Sequence, residues 1–406
     1  MYYFLKILNK SYLLLLISIV FFTSAGFAGD SLFVSETFTP LNSFSDGVEG
    51  PAVDGDGNIY AVNYQTRSTI GKITPQGECS LFLQLPDGSV GNGIRFSSKG
   101  DMFIADYTNH NILKVNMDTK KIEIFAHDDR MNQPNDIAIT DNDIIYASDP
   151  NWSESTGNLW MIDTSGTTHL LASGMGTTNG IEVSPDNKTL YVNESTAHRI
   201  LAFDILENDS VSNKRVLKQF DNSILDGMRC DSTGNLYVAC YNKGVIYIVS
   251  PDGDLLRTVN LIGTKATNIA FGGEDGKTCY ITVADNKNLE TFRTDTPGRS
   301  WVMRNIPTAI KRRHSNNEIR NFRLGQNYPN PFNPKTKIYF EIPVASRIEL
   351  SVYTTLGQNV SQLINNYLNA GSYCVDFDAS ELASGVYIYT ITDGISMKSK
   401  RMILIK

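Results

Sequence analysis

From Leu225 to Ala239 the chain reads LDGMRCDSTGNLYVA. An acidic residue, Asp226, opens an apolar run; a polar turn around Gly234 follows, then a second run, Leu236-Tyr237-Val238-Ala239. Alternation on both sides of a Gly-containing turn is the pattern of a β-hairpin. The phrase recurs with openings at Glu49, Asn92, Asn135, Asn179, Asp226 and Asn268, spaced by 43, 43, 44, 47 and 42 residues. A period of this size, with two strands in each legible half, points to four-stranded propeller blades. Helical and leucine-rich repeats fit badly: the strand positions are rich in Ile, Val, Tyr and Phe, and no apolar stripe of helical period runs through them. The expected architecture of residues 29–303 is a six-bladed β-propeller. Residues 31–39 (SLFVSETFT) alternate like a strand, and are expected to complete the last blade, because closure removes the exposed edges of the ring.

The 406 residues are 41% hydrophobic and 19% charged, the composition of a globular protein. The net charge of −7 is unevenly spread. Residues 29–303 carry 21 Lys and Arg against 36 Asp and Glu, a net of −15; residues 304–406 carry 13 against 7, a net of +6. The acidic part argues against nucleic acid as a partner, which demands basic patches. Five cysteines without a CxxC pair argue against a disulfide framework and a zinc ribbon. A single bridge among Cys230, Cys240 and Cys279 is the alternative in an oxidising exterior.

Residues 1–28 read as a signal peptide. Lys6 and Lys10 precede an apolar run from Tyr12 to Phe22, and small residues lead to Ala28, where cleavage is expected. The run is short for a spanning helix, and no other stretch is apolar enough to cross a membrane. Residues 304–322, with Lys311-Arg312-Arg313-His314, are polar and aperiodic and read as a linker. Residues 323–406 read as a second β domain. Strand-like runs at Ile338–Ile342, Ile348–Tyr353, Tyr373–Phe377, Val386–Thr392 and Met397–Ile405 are punctuated by Gly357, Gly371, Gly385 and Gly394. That spacing suggests a small immunoglobulin-like β-sandwich, so the whole chain is expected to be all-β.

If each opening residue begins the strand that lines the central channel, six polar side chains converge at one end of it. All of them present oxygen, and none is His or Cys. Hard oxygen ligands suit Ca2+ or Mg2+ and, less often, Mn2+. Glu49 and Asp226 would repel across a partly dry channel without such an ion. Asn-Gly and Asp-Gly are also common turn pairs, so a single opening residue carries little weight; the recurrence of one polar residue per repeat, two of them acids, carries the inference. No G-x-S-x-G, phosphate-binding loop, dinucleotide fingerprint or HExxH occurs. Ser153 and Ser195 are read as loop hydroxyls, Trp152 and Trp160 as packing residues, and His127 and His169 as surface residues.

Two resemblances extend this reading. Glu49-Gly50-Pro51, Pro134-Asn135-Asp136, Asn179-Gly180-Ile181 and Asp226-Gly227-Met228, with Leu236-Tyr237-Val238-Ala239-Cys240-Tyr241 and Ala270-Phe271-Gly272-Gly273, resemble the senescence-marker/regucalcin and gluconolactonase family. Diisopropylfluorophosphatase and paraoxonase propellers are similar in plan. The resemblance implies a divalent cation in the channel, Ca2+ first and Zn2+, Mn2+ or Mg2+ as alternatives, held by Glu49, Asn135, Asn179 and Asp226. It also implies hydrolysis of a lactone, typically of an aldonic acid. In such a reaction the cation polarises the carbonyl and acidifies a water, Asp226 is the proton acceptor, and Asn92, Gln133 and Asn268 contact the substrate. Regucalcin-type members carry Arg where this chain has Gln133, and paraoxonases carry His near the position of Asn92, so the metal site carries over better than the substrate. Two other readings stay open: a non-catalytic NHL-like binding propeller, and a metal-dependent phosphotriesterase or esterase on the same site.

The second resemblance is in the tail. Leu324-Gly325-Gln326-Asn327-Tyr328-Pro329-Asn330-Pro331-Phe332-Asn333-Pro334, Leu356-Gly357-Gln358 and Leu382-Ala383-Ser384-Gly385-Val386-Tyr387 closely resemble the C-terminal sorting domain of type IX secretion cargo. This implies export through the periplasm to the medium or the cell surface, with the type IX machinery as partner.

Overall fold

The computed structural model describes residues 31–304, 310–313, 321–368 and 370–406. The signal peptide expected at 1–28 and most of the expected linker lie outside the described residues. Strands dominate; a single short helix, Arg299–Arg304, occurs among the described residues, and none is long and apolar enough to cross a membrane.

Residues 36–293 form six four-stranded antiparallel sheets. Five are built from consecutive strands; the first, for example, runs Phe44–Val53, Ile59–Tyr64, Thr69–Ile73 and Cys79–Gln84. The innermost strands of the other five are Gly91–Phe96, Ile137–Ile139, Thr178–Val183, Leu225–Cys230 and Ala266–Gly272. The sixth sheet is completed by the N-terminal strand Glu36–Thr37, which pairs with Asn288–Arg293, Glu36 opposite Thr291. Only two of the residues read as a strand at 31–39 join this ladder; Thr39 adds its hydroxyl, which accepts the Leu289 N–H at 2.8 Å.

Burial explains why the sheets stay in one order. Six apolar clusters each join one sheet to the next. Phe103 and Ile112 of the second sheet pack with Ile145 and Trp160 of the third. Phe44 and Ile59 of the first pack with Ala270 and Leu289 of the sixth, which closes the cycle. The inner strands of each sheet therefore have apolar side chains on both faces, which is why their sequences read as nearly continuous apolar runs. The recurring aromatic of the LYVA-type phrase has one place throughout. Tyr60, Phe103, Tyr146, Tyr191, Tyr237 and Tyr280 stand opposite Ala52, Arg95, Ala138, Glu182, Arg229 and Ala270.

That register corrects one reading. In five repeats the opening residue stands three positions before the partner of the aromatic. In the sixth this position belongs to Thr267, and Asn268 takes the place held elsewhere by Gly50, Gly93, Asp136, Gly180 and Gly227. Counting from the sequence shifted the last repeat by one residue, because Thr267 carries no amide or acid to mark it.

The C-terminal strands follow the spatial order Ile310–Arg313, Gly371–Asp378, Lys335–Ile342, Tyr328–Asn333, Met397–Leu404, Gly385–Thr392, Ser346–Thr354, Asn359–Leu368. Ile338, Phe340, Leu350, Ile364, Tyr373 and Tyr389 share their core. Among the strands that were not legible, Asn359–Leu368 is hidden by its polar content, and Tyr328–Asn333 by its prolines, which favour sheet edges. The tract read as a linker also departs from expectation, since Ile310–Arg313 pairs with Gly371–Asp378. An open strand edge offers N–H and C=O groups to any extended segment, whatever its side chains. All five cysteines are free thiols.

Candidate metal centre

In three of the six sheets the opening residue leaves its ladder at a bulge. In the second sheet Gly91 pairs with Asp106 and Ile94 with Ile104, so Asn92 and Gly93 together oppose Ala105. Asn179-Gly180 and Asp226-Gly227 repeat this in the fourth and fifth sheets. Two residues against one re-aim a side chain out of the pleat. The glycines answer a second demand. A Cβ on Gly93 would lie 2.4 Å from Asp136 Oδ1, and one on Gly227 2.0 Å from Asn268 Cγ. The innermost strands approach too closely at the axis for a side chain at every one of these positions.

Three of the anticipated residues, Glu49, Asp226 and Asn179, are brought together. Glu49 is 9% exposed; its Oε2 accepts the Gly50 N–H at 2.7 Å and the Asn268 amide at 3.0 Å. Asp226, half-buried, is within hydrogen-bonding reach of both the Glu49 carboxyl and the Asn179 side chain. Burial pushes Glu49 up to about 7, helped by the charge of Asp136. Burial, then the charge of Glu49, pushes Asp226 well above the usual carboxylate range. Two acids this close in a dry setting share a proton when nothing else neutralises them.

Asn135 and Asn179 are buried, and the Oδ1 of each has no hydrogen-bond partner among the described residues. The amide nitrogen of Asn179 and the backbone of Asn135 are accounted for. Asn179 Nδ2 donates to Ser195 Oγ at 3.2 Å. The Asn135 N–H donates to the Ser148 carbonyl at 2.9 Å. An unsatisfied buried amide oxygen costs about 1–3 kcal/mol, so two of them, at the repeat positions that elsewhere carry the two carboxylates, fit a hard cation. Among the described residues no group of three or more His, Cys, Asp and Glu side chains is placed to hold a metal. The donor set here is carboxylate and amide oxygen, which suits Ca2+ and disfavours the thiolate and imidazole chemistry of structural zinc.

The remaining three are placed as follows. Asn92, half-buried, donates its Nδ2 to the Asn135 carbonyl at 3.0 Å. Asn268 is 1% exposed, and its Nδ2 is shared between Glu49 and Asp136 Oδ2 at 3.4 Å. Gln133 is half-buried on the loop before Asn135, where its side chain reaches the Tyr107 hydroxyl.

A buried column of charge continues along the axis. Asp136 is fully buried between Arg95 and Arg229, each with Nη1 at 3.1 Å. Burial works against its charge, but the two guanidinium groups hold its carboxyl below the usual range. Burial and the neighbouring Arg229 lower Arg95 to about 10. Further on, Glu182 meets Arg299 at 3.5 Å. Arg299, 2% exposed, also bonds the Ile139 carbonyl at 3.0 Å and Asn187 Oδ1 at 2.7 Å.

Sequence reasoning missed the residues that hold the loops. Asp149 is fully buried. Its Oδ1 accepts the N–H groups of Asn132 and Gln133 at 2.7 and 2.6 Å; its Oδ2 accepts Asn158 Nδ2 and Trp160 Nε1 at 3.1 and 2.9 Å. Asp106 takes the Val90 N–H and Glu194 the Gly176 N–H in the same way. A signal was present: three residues after the recurring aromatic stand Asn63, Asp106, Asp149 and Glu194. Ser195, read as a loop hydroxyl, is fully buried.

Similarity to known proteins agrees with this architecture. The SMP-30/Gluconolactonase/LRE-like region matches residues 48–285, and the Secretion system C-terminal sorting domain matches residues 326–406. Gluconolactonase of Zymomonas mobilis is 26% identical over 304 residues, 65% of this chain and 84% of its own length. Regucalcin of Xenopus laevis is 40% identical over 137 residues, 33% of this chain and 46% of its own, so the match spans about half of that relative. Among solved structures, a luciferin-regenerating enzyme aligns with a TM-score of 0.58 at 21% identity, over 65% of this chain and 97% of its own. A regucalcin from Agrobacterium tumefaciens, described as a calcium-binding protein, aligns with 0.56 at 18%, over the same shares. At those identities the alignments speak to a shared propeller-like fold. By the extent of the match, the chain belongs to the SMP-30/gluconolactonase/LRE-like family and ends in a secretion-system sorting domain.

Proposed function

We propose that residues 29–303 form a six-bladed propeller acting as a divalent-cation-dependent hydrolase that opens a lactone, most naturally a sugar (aldono-)lactone, at the mouth of the channel. Ca2+ is the assigned ion; Zn2+, Mn2+ and Mg2+ are the alternatives. The carrying observation is the pairing of the buried Glu49 carboxylate with the half-buried Asp226, together with the partnerless amide oxygens of Asn135 and Asn179. An ion held there supplies Lewis-acid polarisation of the carbonyl and lowers the pKa of water.

The chain's own groups divide the remaining work. Glu49 is tied down by Gly50 and Asn268, so it is the fixed acid. Asp226 is more exposed and meets Glu49 and Asn179 through side chains, so it is the proton acceptor. Water adds to the lactone carbonyl as its proton passes to Asp226. The ring C–O bond then breaks, and the released alkoxide takes that proton back, giving the open hydroxy acid. Asn92 and Gln133 face the substrate, and Asn268 positions Glu49 from the layer beneath. The tail is read as an immunoglobulin-like sandwich engaging the type IX machinery, with a signal peptide at 1–28 routing the protein through the periplasm to a secreted or surface location.

The test is calorimetric titration of Ca2+ into chelator-stripped protein beside Asp226→Ala, followed by a panel of aldonolactones, hydrophobic lactones, aryl esters and phosphotriesters. Saturable binding that is lost in the variant, with turnover of lactones, is the expected result. Turnover of phosphotriesters alone would reassign the reaction on the same site. Failure to bind Ca2+, Mg2+, Mn2+ and Zn2+ would replace the hydrolase with a binding propeller.

A further inference from the structure

An asparagine is an ambiguous ligand. Its side chain ends in an acceptor oxygen and a donor NH2 of almost the same size, and only its surroundings decide which faces a site. At Asn179 the amide nitrogen also serves the Asp226 carboxyl, and its second acceptor is one hydroxyl. Ser195 Oγ donates to the Leu225 carbonyl at 2.5 Å. A carbonyl can only accept, and a serine has one proton, so that proton is committed. What Ser195 has left for Asn179 is a lone pair, which demands an N–H; Nδ2 stands 3.2 Å away. Oδ1 is therefore turned from Ser195 and left without a partner.

The hydroxyl itself has no freedom to relent. Ser195 is fully buried. Its N–H donates to the Thr177 carbonyl at 2.9 Å and its own carbonyl accepts the His198 N–H at 3.2 Å. Immediately before it, Glu194 holds the Gly176 N–H at 2.8 Å and is paired with Arg199. The acceptor chosen by Ser195 also matters, because Leu225 directly precedes Asp226. One hydroxyl thus links the amide of the fourth sheet to the backbone bearing the acid of the fifth.

We infer that Ser195 is a positioning residue that locks the Asn179 amide with its oxygen toward the cation and ties that ligand to the Asp226 strand. The inference rests on the cation reading given above. Partners of this kind typically change metal affinity by about 10- to 100-fold.

The test is a double-mutant cycle read by Ca2+ calorimetry on the full chain, with melting of the cation-free proteins alongside. Ser195→Ala is expected to weaken Ca2+ binding by about 10-fold or more. In an Asn179→Asp background, where both side-chain oxygens are equivalent and no orientation needs locking, the same change is expected to cost less than about 3-fold, a small coupling-free residue. Equal losses in both backgrounds, or none in either, would overturn the lock. If wild-type protein binds no divalent cation, the cation reading itself fails, an outcome distinct from wild-type binding with an unaffected Ser195→Ala. Should Ser195→Ala not fold, Ser195→Thr and Ser195→Cys replace it. Thr keeps the hydroxyl and is expected to retain affinity, whereas the weakly accepting thiol of Cys is expected to lose it; the reverse order would count against the lock.

Discussion

At the residue scale, the centre is defined by a conflict that its own carboxylates cannot resolve. Glu49 has an ordinary pKa of 4.5 and is raised to about 7, first by burial and then by Asp136. A raised carboxyl binds its proton more tightly in the folded state than in the unfolded chain. Its contribution to stability is therefore complete below its unfolded pKa and is lost as pH rises through the folded one. In cation-free protein, Glu49→Gln should match wild type near pH 4.5 and exceed it by about 5 °C in melting temperature near pH 8. Saturating Ca2+ should reverse that order, because the ionised pair then has a partner. A gap that stays constant across this range would show that Glu49 does not titrate in the folded protein.

At the element scale, the bulges that aim Asn92, Asn179 and Asp226 each carry a glycine beside the opening residue on the crowded side of the axis. Gly227 is the sharpest case, because its Cβ would lie 2.0 Å from Asn268 Cγ. Asn268 is the group that steadies Glu49, so the clash propagates to the opposite wall of the site. Gly227→Ala is expected to destabilise the protein by about 1–3 kcal/mol and to lower both Ca2+ affinity and lactone turnover. Gly55→Ala is the control: an added Cβ there meets nothing within 4 Å. Equal behaviour of the two variants in chemical denaturation and turnover would mean that the centre relaxes around an added methyl.

At the scale of the whole molecule, the site depends on closure, because Glu49 belongs to the first sheet and Asn268 to the sixth. The join is made by few residues. Phe38 and Thr39 N–H groups donate to the Leu289 carbonyl, the Phe33 N–H donates to the Arg293 carbonyl, and Thr39 Oγ1 accepts the Leu289 N–H. With Ser35 Oγ donating to Glu290 and Asn288 Nδ2 to the Thr39 carbonyl, six hydrogen bonds at about 1 kcal/mol each put the cost of removing residues 31–39 at about 6 kcal/mol. The expected consequence is a lower melting temperature, an exposed edge on the sixth sheet and aggregation on heating. A truncated protein that melts like the full chain would show that the inter-sheet cores hold the cycle closed unaided.

What the sequence by itself determined was periodic. Six copies of one hairpin phrase, each opened by a polar residue, were enough for an all-β chain and for the expectation of an oxygen set at Glu49, Asn135, Asn179 and Asp226, because strand period and turn chemistry are local properties. The tail's phrases were equally legible as a sorting domain. The tertiary structure decided everything that depends on approach between repeats. It moved the sixth opening from Asn268 to Thr267, since only cross-strand register distinguishes them. It showed that Asp136 and Asn268 fill the axis where the other sheets have glycine, and that Arg95 and Arg229 neutralise Asp136 from two different sheets. It also drew Ser195 and Asp149 out of apparently ordinary loops into the support of the site. A hydroxyl 16 residues from the amide it orients leaves no periodic trace; its role exists only once burial has removed water as the alternative partner.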